Sequence, residues 1–168
     1  ASVCSDLDIP LVHISTDYVF DGSGTTPRCT IDTPNPKNAY GRSKLKGEQA
    51  ILASGCVYAI LRTSWIVSAH GNNFVKTMRR LSETRDHITV VDDQIGGPTC
   101  ARDIAQTCLS IAEQLIQDPT KSGVYHYSGQ PNVSWCQFAS AIFEQMDCKT
   151  IATPIPTTEY PTPASRPL

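Results

Sequence analysis

Tyr40 and Lys44 combine the side-chain types and the spacing of a proton donor and its electrostatic helper. They form a Y-x-x-x-K pattern, and a separation of four residues places both side chains on one face of a helix. A tyrosine hydroxyl ordinarily has a pKa of about 10, which is too high for efficient proton transfer at neutral pH. A nearby ammonium favours the phenolate, so a pair of this kind can act as a general acid toward a carbonyl oxygen.

A hydroxyl group that polarises the same carbonyl oxygen would complete such a site. Thr16 is the candidate, because it ends a predicted strand and open α/β sheets bind ligands at the carboxyl ends of their strands. Y-x-x-x-K also arises by chance in many helices, with a half-buried tyrosine and a solvated lysine. The interpretation therefore depends on the elements and motifs around the pair.

Strand patterns alternate with helical patterns along the chain. Short apolar runs predict strands at residues 11–16, 57–64, 88–91 and 124–127. Amphipathic spacing predicts helices over residues 40–54, 74–85 and 101–117. Gly55 is expected to end the first helix, and Ser134 with Gln137 forms a capping-box signature that predicts a fourth. The alternation predicts an α/β fold with a parallel sheet.

Composition excludes several classes of protein. The 168 residues are 40% hydrophobic and 18% charged, which is typical of a globular chain with a core. A formal net charge of -2 provides no basic field for nucleic acid or an anionic membrane. No apolar run is long enough to span a bilayer.

Cysteine and aspartate patterns predict no metal site. The seven cysteines, an odd number without a C-x-x-C pair, indicate free thiols in a reducing cytosol. The adjacent Asp92 and Asp93 would point in different directions on a strand, so a shared ion would need ligands from elsewhere. We interpret them as loop-shaping or interface residues. Arg62 is expected to form a structural ion pair, and His13 to be a satisfied core residue.

Six motifs, one of which contains the tyrosine and lysine, follow one another in a defined order. They are S-T-D-Y-V-F-D-G (15–22), P-x-N-x-Y-G-R-S-K-L-K-G-E (36–48), R-T-S-W (62–65), G-N-N-F-V-K-T-M (71–78), D-D-Q-I-G-G-P-T (92–99) and Y-P-T-P-A-S-R-P (160–167). In this order and spacing they closely resemble the dTDP-4-dehydrorhamnose reductases of the extended short-chain dehydrogenase/reductase superfamily. The resemblance extends from about Ile9 to the last residue.

The resemblance implies a fold and a reaction. It implies a partial Rossmann-like, doubly wound parallel sheet with a small C-terminal substrate-binding portion. Residues 1–65 would be the remainder of the dinucleotide-binding domain. Residues 66–168 would combine the substrate-binding region with the last Rossmann elements in a single compact unit. The implied reaction is reduction of the 4-keto group of dTDP-4-dehydro-L-rhamnose by NADPH, or NADH in some members, to give dTDP-L-rhamnose in the cytoplasm.

The resemblance also implies roles for individual residues, and for Thr16, Tyr40 and Lys44 these agree with the roles proposed above from their chemistry. Thr16 would polarise the keto oxygen, Tyr40 would deliver the proton, and Lys44 would favour the phenolate and hold the nicotinamide ribose. Thr63 and Ser64 would lie beside the nicotinamide. No residue is implied to bind a metal.

Four further residues would bind the substrate, and each has a structural alternative. Asp17 would contact the sugar or cap the turn after the strand. Trp65 would line the sugar-nucleotide pocket or pack in the core. Asn73 would bond the substrate or cap a helix. Arg166 would clamp the diphosphate or be a solvated tail residue.

The sequence departs from the family in what it lacks. Family members begin with a glycine-rich strand-turn-helix that holds the cofactor pyrophosphate, and no G-x-G-x-x-G occurs here. At residues 66–68 the sequence reads I-V-S, where members often have an aromatic residue and glycine. We therefore expect either a fragment of a longer enzyme or a short protein that kept only this half. In both cases we expect a chain that is weakly active or inactive alone and that forms an oligomer or binds a partner chain across an uncovered sheet edge. The alternative is a non-catalytic protein with a reductase-like fold, as in the regulatory subunit of methionine adenosyltransferase.

Overall fold

The computed structural model describes residues 1–24 and 26–160. The helices are α1 (Ser2–Asp6), α2 (Ala39–Ala53), α3 (Phe74–Ser82), α4 (Ala101–Gln117) and α5 (Trp135–Gln145). The strands are β1 (Leu11–Thr16), β2 (Tyr58–Thr63), β3 (Ile66–Val67), β4 (His87–Val91), β5 (Ile95–Gly96), β6 (Thr99–Cys100), β7 (Gly123–Tyr127), β8 (Val133–Ser134) and β9 (Ile151–Ile155). Short 3-10 turns cover Asp17–Val19, Pro119–Lys121 and Thr157–Glu159. The strands and helices predicted from the sequence are confirmed, with ends that shift by up to three residues.

The described residues divide into two compact units. Unit 1 contains residues 1–64 and 102–127, and unit 2 contains residues 65–101 and 128–160. The structure thus differs from the expected single unit over residues 66–168. Residues 102–127 belong to unit 1 because β7 pairs with β2 in its sheet. No helix in the described ranges is both long and apolar enough to cross a membrane.

Unit 1 is built on a parallel sheet in the order β1-β2-β7. The register pairs Thr16 with Thr63, and Thr63 with Tyr127, so the carboxyl ends of the three strands lie level with one another. A core of Ile51, Cys56 and Ile60 lies between α2 and the sheet. This confirms the α/β prediction and aligns the strand ends that were expected to bind ligands.

Helix α2 begins and ends at residues suited to those positions. Asn38 is its N-cap, and the side-chain oxygen accepts a hydrogen bond from the Gly41 N–H at 2.8 Å. Gly55, two residues past the helix, has a φ of +72°, a conformation that glycine adopts without steric cost. A Cβ on Gly41 would overlap the carbonyl oxygen of Tyr18. Glycine there lets the first turn of α2 contact the residues that follow β1.

Unit 2 has its own core and smaller sheets. Strand β4 pairs in parallel with β9, and α3 and α5 pack with them around Met78, Ile88, Val90, Ala139 and Phe143. The predicted capping box is confirmed: the Ser134 hydroxyl accepts from the Gln137 N–H, and the Gln137 side chain accepts from the Ser134 N–H, both at 2.9 Å. Strands β5 and β8 form an antiparallel pair, and β3 and β6 a parallel pair.

Candidate active site

The carboxyl end of β1 carries two predicted site residues in a hydrogen-bonded arrangement. The Thr16 hydroxyl donates to Asp17 Oδ1 at 2.9 Å and accepts from the Tyr18 N–H at 3.3 Å. Thr16 is only 5% exposed. Burial raises the pKa of Asp17 above its ordinary value, although the hydrogen bond from Thr16 acts in the opposite direction. Carboxyl groups whose pKa is shifted by burial occur preferentially at functional sites.

Replacing Asp17 with asparagine is expected to stabilise unit 1 at neutral pH. Because the pKa of Asp17 is higher in the folded state, the native protein loses stability as pH rises through the range between the unfolded and folded pKa values. Asparagine keeps an oxygen that accepts from Thr16 and removes this titration. Urea unfolding should show a higher free energy of unfolding for Asp17→Asn at pH 7 and a smaller difference near pH 3. Parallel pH profiles for wild type and Asp17→Asn would contradict the expectation.

Tyr40 lies in the first turn of α2, next to the residues that follow β1. Its ring meets the ring of Tyr18 edge to face, with centroids 5.5 Å apart and an interplanar angle of 78°. The side chain remains 55% exposed. A substrate can therefore reach the phenol while the ring is held in place by an aromatic contact.

Lys44 is held against β1 by its ammonium group. The Nζ atom donates to the carbonyl oxygen of Ile14 at 2.6 Å and lies 3.4 Å from Nε2 of His13. Burial, and then the charge of Lys44, lower the pKa of His13, so a neutral imidazole is favoured as acceptor for the ammonium. His13 is thus a satisfied residue, as expected, and its partner is the predicted site lysine.

A buried ion pair fixes α2 to the sheet, and the sequence predicted only one of its members. Arg62 was expected to form a structural ion pair; its partner is Glu48, with Nε to Oε1 at 3.0 Å and Nη2 to Oε2 at 2.7 Å. The Ser15 hydroxyl donates to the same carboxylate. Glu48 is 1% exposed and lies four residues beyond Lys44, so the helical spacing from Tyr40 through Lys44 was the signal that could have found it.

Thr63 and Ser64 lie at the end of β2, level with Thr16. Within the described residues, the buried Thr63 hydroxyl is a side-chain polar atom without a hydrogen-bond partner. Buried polar groups are normally paired, so this hydroxyl has capacity for a ligand. The site thus offers three hydrogen-bond donors: the Lys44 ammonium, the Tyr40 phenol and the Thr63 hydroxyl. A nucleotide ribose or amide can accept hydrogen bonds from donors of these types.

The predicted site residues of unit 2 have structural partners. Trp65 has a φ of +50° and its indole stacks on that of Trp135. Asn73 is the N-cap of α3: its oxygen accepts from the Lys76 N–H at 3.2 Å and its amide donates to the Ser68 carbonyl at 2.7 Å. The helix-cap interpretation fits Asn73, and its substrate contact stays a prediction. Arg166 lies outside the described residues.

Asp92 and Asp93 shape the loop, as the sequence analysis interpreted them. Asp92 accepts a hydrogen bond from the Ser134 hydroxyl. Asp93 accepts from the Thr157 N–H at 2.9 Å and from the Thr157 hydroxyl. Both carboxylates are therefore used within unit 2, and no group of three metal-ligand side chains occurs in residues 1–24 and 26–160.

Unit 1, a parallel sheet with α2 packed on it and polar residues at the carboxyl ends of its strands, has the features of a Rossmann-like α/β fold. A model of the family described as RmlD substrate binding domain matches residues 1–168. The chain belongs to this family.

Individual relatives agree with the family match. The chain is 43% identical to a dTDP-4-dehydrorhamnose reductase of Sinorhizobium fredii, over 99% of this chain and 58% of that protein. It is 46% identical to a protein of the same name from Aggregatibacter actinomycetemcomitans, over 94% of this chain and 56% of that protein. The chain thus spans somewhat more than half the length of the curated relatives it matches.

Solved structures give the same result. A dTDP-4-dehydrorhamnose reductase from Clostridium acetobutylicum superposes with a TM-score of 0.90 at 40% identity, covering 99% of this chain and 57% of that one. The reductase from Bacillus anthracis, solved in complex with NADP, has a TM-score of 0.84 at 42% identity with the same coverages. A UDP-glucose 4-epimerase at 17% identity, covering 92% of this chain and 54% of that one, shares the fold with a TM-score of 0.74.

Proposed function

We propose that this chain supplies the proton donor and the sugar-nucleotide site of an enzyme that reduces the 4-keto group of dTDP-4-dehydro-L-rhamnose with NADPH. The observation that carries the proposal is the arrangement in unit 1, where Thr16 ends β1, Asp17 follows it, and Lys44 is bonded to the same strand. The family match and the names of the relatives support the substrate class. The reductase solved with NADP supports the cofactor.

The proposed chemistry assigns one task to each residue. Tyr40 donates its phenolic proton to the keto oxygen, and its exposed ring makes that approach possible. The Thr16 hydroxyl donates to Asp17 in this structure. To donate to the substrate oxygen, its hydrogen must rotate about the Cβ–Oγ1 bond. Once it does, it stabilises the negative charge that develops there. Asp17 then accepts a hydrogen bond from a sugar hydroxyl.

The residues present fit a nicotinamide cofactor. NADPH, when bound, would supply a hydride to the carbonyl carbon. Lys44 would donate a hydrogen bond to the ribose hydroxyls, and the phenolic oxygen of Tyr40 would accept one from them, since its single proton goes to the keto oxygen. Thr63, whose buried hydroxyl has no partner within the described residues, would lie with Ser64 beside the nicotinamide.

A chimera tests the proposal. The chain replaces the matched segment of the Sinorhizobium fredii protein, which is 58% of that protein, and the rest of that protein is kept. We expect the chimera to oxidise NADPH when the keto-sugar nucleotide is added, and the 168-residue chain alone to bind NADPH weakly with little turnover. A folded chimera that binds dTDP-L-rhamnose without oxidising NADPH would favour the non-catalytic alternative. One that neither binds nor turns over would reject the proposed substrate.

The comparisons favour the catalytic function over the regulatory one, since the matched relatives are named as reductases. We further propose a cytoplasmic location, which the seven free thiols support. We also propose self-association or a partner chain at the β1 edge of the sheet, supported by the 44% exposure of Ile14. Light scattering at low concentration would reveal a monomer if that last proposal is wrong.

A further inference from the structure

Trp65 is held in a backbone conformation that a bulky residue rarely adopts. Its φ of +50° lies in the left-handed region, where a large side chain is a steric outlier. Such a conformation persists only when the surrounding structure enforces it, and it occurs preferentially at functional sites. Contacts with Trp135, Gly96 and Thr99 of unit 2 hold it in place.

The indole of Trp65 lies flat on the indole of Trp135. The ring centroids are 3.5 Å apart and the planes differ by 8°. Trp135 in turn contacts Phe74, with centroids 4.6 Å apart, and Phe74 contacts Phe138. Trp135 and both phenylalanines pack on the core of unit 2, whereas Trp65 is half-buried at the end of this aromatic row. Trp65 is therefore less enclosed than the aromatic residues that support it.

A series of hydrogen bonds fixes Trp135, the residue on which Trp65 lies. The Trp135 indole N–H donates to Gln94 Oε1 at 3.2 Å, and Gln94 Nε2 donates to the Thr157 hydroxyl at 3.0 Å. That hydroxyl donates to Asp93. Gln94 is only 6% exposed. Each buried polar group has a partner of the correct type, which sets the orientation of the amide and of the indole.

Gly96 sets the position of the Trp65 ring from a second direction. A Cβ on Gly96 would lie 2.5 Å from Cε2 and 2.6 Å from Nε1 of Trp65. The backbone beyond Trp65 is also fixed, because the Thr99 N–H donates to the Trp65 carbonyl at 3.0 Å. A Cβ on Gly97 would overlap the carbonyl of Gly129. The D-D-Q-I-G-G-P-T motif thus folds around the two tryptophans.

We propose that Gln94 and Gly96 are positioning residues that hold Trp65 flat on Trp135 as a preformed aromatic wall for a thymidine-diphosphate sugar. This inference rests on the proposed function for its ligand. A flat, rigid indole offers contact area at low entropic cost, because its conformation is fixed before the ligand arrives. The two side chains act through Trp65 and need not touch the ligand themselves.

The composition of the chain makes the test direct, since Trp65 and Trp135 are its only tryptophans. Stacked indoles couple electronically, so a coupled tryptophan signal in the circular dichroism spectrum of this chain reports on this pair. Gly96→Ala adds one methyl group where the Trp65 ring lies. Its matched control is Gly123→Ala, whose Cβ would meet Tyr125 at an ordinary 3.7 Å. Gln94→Met removes the indole acceptor at similar volume, with the exposed Gln49→Met as its control.

We expect Gly96→Ala to lose the coupled tryptophan signal and to bind dTDP-L-rhamnose about tenfold more weakly by calorimetry, which corresponds to about 1.4 kcal/mol. Gln94→Met should change both readouts in the same direction by a smaller factor, and it carries the test if Gly96→Ala fails to fold. Both controls should match wild type.

Two results would overturn the positioning role alone. One is unchanged binding despite loss of the coupled signal, and the other is a coupled signal that survives in both Gly96→Ala and Gln94→Met. Failure of the wild-type chain to bind dTDP-L-rhamnose would instead reject the proposed substrate, and with it the ligand assigned to Trp65. The coupled signal would still report whether the stack exists, so the two failures are distinguishable.

Discussion

Replacing Tyr40 with phenylalanine should lower kcat of the chimera for the keto-sugar nucleotide by roughly 100- to 10,000-fold, the range for loss of a general acid. The substitution removes one oxygen from a side chain that is 55% exposed. Its edge-to-face contact with Tyr18 needs only the ring. We therefore expect the loss in turnover to occur with little change in the free energy of unfolding.

A second tyrosine provides the control for this experiment. Tyr58 begins β2, at the opposite end of that strand from Thr63, so Tyr58→Phe should leave kcat near that of the unmodified chimera. The measurement is the initial rate of NADPH oxidation at saturating substrate. A Tyr40→Phe variant within threefold of the parent rate would remove Tyr40 from the role of proton donor.

Replacing Glu48 with alanine should destabilise the chain by about 3–5 kcal/mol, the usual cost of leaving one member of a buried ion pair without its partner. Glu48 is 1% exposed and Arg62 6%. Among residues 1–24 and 26–160, the guanidinium would keep a contact with His126 at 3.5 Å and its position 5.1 Å from the Phe20 ring centroid. Small domains are stable by about 5–15 kcal/mol, so the expected loss is a large fraction of the total. Equilibrium unfolding in urea measures it.

Two further variants separate charge burial from side-chain loss. The double variant Glu48→Leu with Arg62→Met removes both charges and should recover much of the stability, because well-packed apolar residues can replace a buried pair. Arg28→Ala breaks the surface Arg28–Asp21 pair, 3.0 Å in length, at a side chain that is 37% exposed, and should change stability little. If Glu48→Ala is no more harmful than Arg28→Ala, the buried pair does not anchor α2.

The ion pair also explains how the predicted site is held together. Tyr40, Lys44 and Glu48 are spaced by four residues along α2, and Glu48 is bonded to side chains of β1 and β2. Lys44 is bonded to the backbone of β1. The exposed tyrosine is therefore carried by a helix whose next turns are fixed to both strands that end in Thr16 and Thr63.

The sequence by itself determined the features that depend on neighbouring residues. Strand and helix periodicity, the Ser134 capping box and the one-face spacing of Tyr40 and Lys44 are local, because backbone geometry relates residues a few positions apart. The order of the motifs also indicated the family. These features were sufficient to predict the α/β class, the strand carrying Thr16 and the helix carrying the candidate acid.

Only the tertiary structure decided which distant residues meet. The partner of Arg62 lies 14 positions away, and Trp135 lies 70 positions after the Trp65 that it supports. The sequence did not reveal which residues the D-D-Q-I-G-G-P-T motif contacts, since its hydrogen bonds reach the distant Ser134, Trp135 and Thr157. Such contacts depend on strand register and on packing between segments, and local sequence periodicity specifies neither.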